Sequence, residues 1–206
     1  MSLALPLSAS SRAQLARELN HVVHQLLLAE WQLRQAHWNT RGAWFFARHE
    51  LFERISDTTS ELVDTLAERI GALGHAVEMR PKVIVGAAPD PLPSGLQSGE
   101  TYLQGIAQHL VRVATDLRSC TDSAEKLHDP VTADISTGAA QKVEHALWFL
   151  RSHLPPVTPL TADPATLPKP PASSDGVVAA NSDMRDSLHV NTEAHQSSTD
   201  DAAVFA

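Results

Sequence analysis

His37 and His49 stand twelve positions apart, and Glu53 follows the second histidine by four. Asp64 and Glu68 form another pair four residues apart, eleven and fifteen positions beyond Glu53. Imidazole nitrogens and carboxylate oxygens in one neighbourhood make a mixed nitrogen–oxygen donor set. Such a set suits iron, manganese or zinc better than calcium or magnesium. A spacing of four on a helix puts two side chains one turn apart, where they can meet one ion.

At about 100° per residue, with His49 at zero, Glu53 falls near ~40°, Asp64 near ~60° and Glu68 near ~100°. The four therefore share one side of a helix. The apolar stripe of that helix, Phe52 to Leu73, lies elsewhere on the cylinder. Ser56, Ser60, Ala67 and Gly71 share the polar side, with Asp57 on its margin, and small residues let another helix approach. The rise per residue separates the two pairs by roughly 16 Å, too far for one ion to be held by both in one chain. A two-fold-related antiparallel copy of the helix would set His49 and Glu53 of one subunit beside Asp64 and Glu68 of the other, twice over. A plainer reading stands beside this one. Polar neighbours at i, i+4 are common on solvated helix faces, and a histidine on an apolar stripe, as His37 is, is often a hydrogen-bonded core residue.

Long helices must position these residues. Leu15, Leu19, Val22, Leu26, Leu33 and His37 recur at helical spacing from about 10 to 39, with Ser8, Ser10 or Ser11 as the cap and Gly42 as the stop. A second helix is predicted from about 45 to 73, on Phe52, Ile55, Leu62, Leu66, Ile70 and Leu73, with Gly74 ending it. Residues 79–99 are rich in Pro and Gly and read as a long connection holding at most a short helical turn. A third helix is expected over about 100–127 and a fourth over about 130–153, the latter opening on Pro130 with Ile135, Val143, Leu147 and Leu150 as its stripe. The fold class is all-α: an antiparallel four-helix bundle with one long crossover connection. The organisation is a short N-terminal arm (1–9), the bundle (10–154) and an acidic, Pro-rich tail (155–206) expected to be disordered.

The bulk properties narrow the function. A formal net charge of −8 argues against nucleic acid as the main partner. The single cysteine, Cys120, excludes an internal disulfide and a cysteine-based zinc site and fits a reducing compartment. The apolar start lacks a basic segment and does not read as a signal peptide, and no run is long enough to span a membrane, so a cytoplasmic location is expected.

The segments AHWNTRG, FFARHELFE and VDTLAERIGALG resemble the Dps family, the mini-ferritins first named as DNA-binding proteins from starved cells. DPVTADI and HALWFLRSHL also look like that family's last helix, so the resemblance covers about residues 10–154. It implies a ferritin-like bundle assembling as a hollow dodecamer, with a ferroxidase centre of two irons at each two-fold interface and no organic cofactor. Carried over by position, His37, His49 and Glu53 would come from one subunit, and Asp64 and Glu68 from its partner. Glu53 stands where many family members have aspartate, which puts the metal spacing in question. Trp38 would lie near the centre, where its indole can intercept oxidising radicals. Fe(II) would be oxidised by hydrogen peroxide in preference to dioxygen, and Fe(III) stored inside the cage. Asp129 and Asp134 match the region lining the family's iron-entry pores, although an acid at a helix start also complements the helix dipole.

Two further features are weighed. Glu18 and His21 have the Glu-x-x-His spacing of larger ferritins, but those bundles need two such motifs, and one occurs here. DNA-compacting members carry a lysine-rich arm; here the first lysine is Lys82, and the tail sets Lys169 and Arg185 against seven acids. DNA binding is expected to be weak or absent. The rivals to an iron-oxidising cage are a DNA-protecting or structural cage with little ferroxidase activity, and a helical interaction protein without metal.

Overall fold

The computed structural model describes residues 5–86 and 92–155. Four long helices carry the fold: α1 (Ala9–Asn39), α2 (Phe45–Ala72), α4 (Gly99–Lys126) and α5 (Pro130–Ser152). A short helix, α3 (Pro81–Gly86), lies in the connection between α2 and α4. Ser8 is the cap of α1, its hydroxyl accepting from the Ser11 amide at 3.0 Å. The chain turns out of α1 at Gly42 and out of α2 at Gly74, with φ of +96° and +82°, values that side chains disfavour.

The apolar stripes meet in one core. Leu15, Leu19, Val22, Leu26 and Leu33 of α1 are fully buried, as are Phe52 and Leu66 of α2 and Leu103, Ile106, Val113 and Leu117 of α4. Val143, Leu147 and Leu150 complete it from α5, while Ile135 and His37, expected on the stripes, are only partly buried. Each buried leucine or isoleucine contributes about 1.5–3 kcal/mol relative to exposure, which is why the stripes fix the helix rotations.

The long connection returns the chain along the bundle. Near its start the Glu78 amide donates to Asn20 Oδ1 at 2.9 Å, and His24 Nε2 bonds the Glu78 carbonyl. Further on, Gln35 donates to the Pro93 carbonyl at 3.3 Å, and the Tyr102 hydroxyl to the Gly95 carbonyl at 2.8 Å. Two residue pairs then form a parallel bridge absent from the sequence reading: β1 (Thr40–Arg41) against β2 (Gln97–Ser98). This bridge puts the end of α1 beside the start of α4, so α1 and α4 run antiparallel. The expected tail, 155–206, lies outside the described residues except for Pro155.

Candidate metal centre

The two histidines meet where α1 and α2 cross. Their rings stack with centroids 3.6 Å apart and planes inclined by 21°. The backbone contacts are reciprocal: His37 Nδ1 bonds the His49 carbonyl at 3.0 Å, and His49 Nδ1 bonds the His37 carbonyl at 2.9 Å. A carbonyl oxygen only accepts, so both Nδ1 atoms must carry the proton. In the neutral rings that leaves each Nε2 with a free lone pair, the tautomer a metal requires, held in place by the bond its other nitrogen makes. Phe45 stacks on the outer side of His49, with centroids 5.4 Å apart.

The carboxylates lie on the open side of α2. Glu53, Asp64 and Glu68 are all exposed, and among the described residues none of them has a hydrogen-bonding or ion-pair partner. Ser60 and Gly71 on the same stripe are exposed and small. Ser56 turns inward and is buried, its hydroxyl oxygen without a partner. Among the described residues no three His, Cys, Asp or Glu side chains converge as a metal-ligating group. One chain thus brings His37 and His49 together and leaves Asp64 and Glu68 well along the same face. Trp38 follows His37 and is 63% exposed, with Trp31 half-exposed two turns earlier on the same side of α1.

Asp129 and Asp134 separate into different roles. Asp129 is buried: Arg69 Nη2 donates to both of its oxygens at 2.9 and 2.8 Å, and Arg69 Nε donates to Thr132 Oγ1 at 2.9 Å. Burial pushes the Asp129 carboxyl up, but hydrogen bonds from Thr132 and Arg69 and the Arg69 charge outweigh it, and the net direction is down. Asp129 also caps α5 through the Thr132 amide. Its carboxylate is therefore committed within the chain, which corrects its expected place as an open pore-lining acid. Asp134 is exposed. Arg69 ties the helical turn that carries Glu68 to the start of α5.

The Glu-x-x-His pair resolves as coincidence. Glu18 bonds Gln14 at 3.0 Å on its own helix, while His21 Nε2 lies 3.3 Å from Asp116 on α4. His109 is a core histidine between Gln25 and Gln32, and burial lowers it to about 4.

An antiparallel four-helix bundle with one long crossover is the ferritin-like class of fold. The model of the ferritin-like domain matches residues 16–156, and the chain belongs to that family. Within the family it is a Dps member, as its relatives bear out. The DNA protection during starvation protein of Agrobacterium fabrum (strain C58 / ATCC 33970) is 31% identical over 62 residues, 30% of this chain and 38% of that protein. The Dps of Microbacterium arborescens, solved in a high iron form, superimposes with a TM-score of 0.68 at 29% identity, over 74% of this chain and 98% of that one. The Mycobacterium smegmatis Dps does so with a TM-score of 0.70 at 25% identity, over 76% and 96%. No described helix is long and apolar enough to cross a membrane.

Proposed function

We propose that this chain is the subunit of an iron-oxidising, iron-storing mini-ferritin whose ferroxidase centres form between two-fold-related copies. The observation that carries the reading is the locked histidine pair, with both Nδ1 atoms engaged and both Nε2 atoms free. Glu53 of the same chain, and Asp64 and Glu68 of a second copy, supply the oxygen donors. The exposed indoles of Trp31 and Trp38, two turns apart on one side of α1, are an apolar surface for that copy to cover. Iron enters as Fe(II) substrate. One hydrogen peroxide takes an electron from each of two Fe(II) ions and, with two protons, leaves as two waters; dioxygen is the slower oxidant. The protein's part is to place the ions and keep a coordination position open. A dodecameric cage, entry past Asp134 and work in a reducing cytoplasm complete the reading, with zinc or manganese as competing ions.

The name of the Agrobacterium relative favours a second reading, a DNA-protecting cage with little ferroxidase activity. Charge argues against it, because the chain is net negative and its first lysine is Lys82. The test is anaerobic Fe(II) loading followed by a peroxide pulse, on the wild type and on Asp64→Ala with Glu68→Ala, with light scattering as the check on assembly. Rapid Fe(III) absorbance that is lost in an intact variant assembly is expected. Equal rates in both would remove the ferroxidase reading, and a DNA gel shift at physiological salt would install the second.

A further inference from the structure

A cavity of about 650 Å³ opens where α1 and α5 end and α2 and α4 begin. Arg41, Trp44, Arg48, Ser98, Glu100 and His153 line it. Its volume is in the range of small-molecule pockets.

Arg48 is the unusual member. Its side chain is only 9% exposed, and its Nε is sealed from solvent with no partner. The contacts it does make are loose: Nη1 to the Ala43 carbonyl at 3.3 Å, and Nη2 at 3.9 Å from Glu100 Oε1. A guanidinium has five donors and cannot lose its charge, so a buried one whose terminal nitrogens are only loosely engaged is costly unless something occupies those nitrogens. The fold is also shaped around it. A Cβ on Gly99 would stand 2.4 Å from Arg48 Cδ and 2.6 Å from Nη1, so only glycine there lets the side chain lie against the first turn of α4.

The surroundings favour an anion. The start of α4, a helix of 28 residues, borders the cavity through Ser98 and Glu100. First-turn amides lack helical partners and carry the positive end of the helix dipole; here the Thr101 amide already donates to Ser98 Oγ, and the others remain. Arg41 and Arg48 outnumber Glu100, which is half-exposed and free to swing away. Trp44 sits on the wall with 74% of its surface exposed, a ring against which an organic group can stack.

We propose that this cavity binds a phosphate group, free or at the end of a small phosphate monoester. Arg48 is the fixed anchor, and Arg41 and the start of α4 close on the remaining oxygens. Glu100 occupies the anchor when the cavity is empty. A planar, forked guanidinium matches phosphate oxygens in pairs, and the site needs no metal.

Calorimetric titration of the metal-free full chain tests this, with inorganic phosphate and then adenosine monophosphate, at constant ionic strength with chloride as the reference anion. The wild type is expected to bind phosphate. Glu100→Gln should bind it about fivefold tighter, and Arg48→Met at least about tenfold more weakly. Arg41→Ala, at an exposed position, should weaken binding several-fold and serves if Arg48→Met does not fold. Tighter binding of the monoester assigns the organic ligand, and equal or weaker binding assigns free phosphate; both uphold the site. No binding by wild type and Glu100→Gln, or unchanged affinity in folded Arg48→Met and Arg41→Ala, would overturn it. No iron is present in the assay, so its outcome and that of the ferroxidase test are independent.

Discussion

Replacing Asp129 with Asn isolates the buried Arg69–Asp129 ion pair at the turn that carries Glu68. Asn caps a helix about as well as Asp, so the bond to the Thr132 amide can survive, while the charge and the bonds that Oδ2 accepts from Arg69 and Thr132 are lost. Arg69 is 8% exposed on its side chain and Asp129 4%, so water does little to screen the pair. Removing one partner leaves a buried guanidinium uncompensated, at a cost of about 3–5 kcal/mol. For a domain of this size each kcal/mol moves Tm by about 2–4 °C, so the variant should melt roughly 6–20 °C below the wild type. Differential scanning calorimetry at fixed protein concentration measures this, since assembly makes Tm concentration-dependent. Adding Arg69→Met removes both charges and should restore most of the loss. The pH dependence carries a second signature. The Asp129 carboxyl is held below its ordinary value of 3.8, so its stabilisation is complete above that value and is lost as pH falls through the lower, folded one. The deficit of the variant should therefore shrink in acid. A Tm within about 2 °C of wild type at pH 7, with no recovery in the double variant, would refute the reasoning.

Other expectations follow from buried groups in the core. His109 titrates near 6.5 when unfolded but is held at about 4 in the folded chain by burial and by the Arg112 charge. The unfolded chain takes up that proton first, so stability is full above that window and falls by about 3 kcal/mol as pH drops from about 6.5 to about 4. Denaturation of His109→Gln across that range should show a flatter profile; an unchanged slope would show that the ring is accessible. Burial, with the Glu18 and Asp116 charges, pushes the Cys120 thiol up to about 12. Iodoacetamide at pH 8 should leave the folded protein unlabelled by mass spectrometry and label it once in denaturant, and rapid native labelling would contradict the packing.

The helices were legible because each buries one continuous apolar stripe. Phe52, Ile55, Leu62, Leu66 and Ile70 recur at three, four and seven residues, and burial follows that period. The rotation of α2 was legible too, and with it the exposure of Glu53, Asp64 and Glu68. The β1–β2 bridge was not, because two backbone pairs between segments more than fifty residues apart leave no periodic trace. Nor was the reciprocal bonding of His37 and His49, which depends on how closely α1 and α2 cross and not on either residue's neighbours. Asp129 shows how a local match misleads: its segment resembled the region of the family's pore acids, but Arg69, sixty residues earlier, holds its carboxylate at the helix start. Arg48 was passed over because a charge beside His49 reads as surface until Gly99 is seen to make room for it.

The most direct test of the central claim is complementation between two inactive variants. One lacks the histidines (His37→Ala with His49→Ala), and the other lacks the acids (Asp64→Ala with Glu68→Ala). In a mixed pair of subunits one centre loses both halves, while the other draws intact histidines from one chain and intact acids from the other. Each variant assembled alone should oxidise Fe(II) with peroxide no faster than the protein-free solution. Co-assembled in equal amounts, they should recover about a quarter of the wild-type rate, since random pairing makes half the pairs mixed and one centre in each is whole. If the mixed assemblies stay as inactive as the separate variants while remaining intact, the centre does not form between subunits, and the account fails.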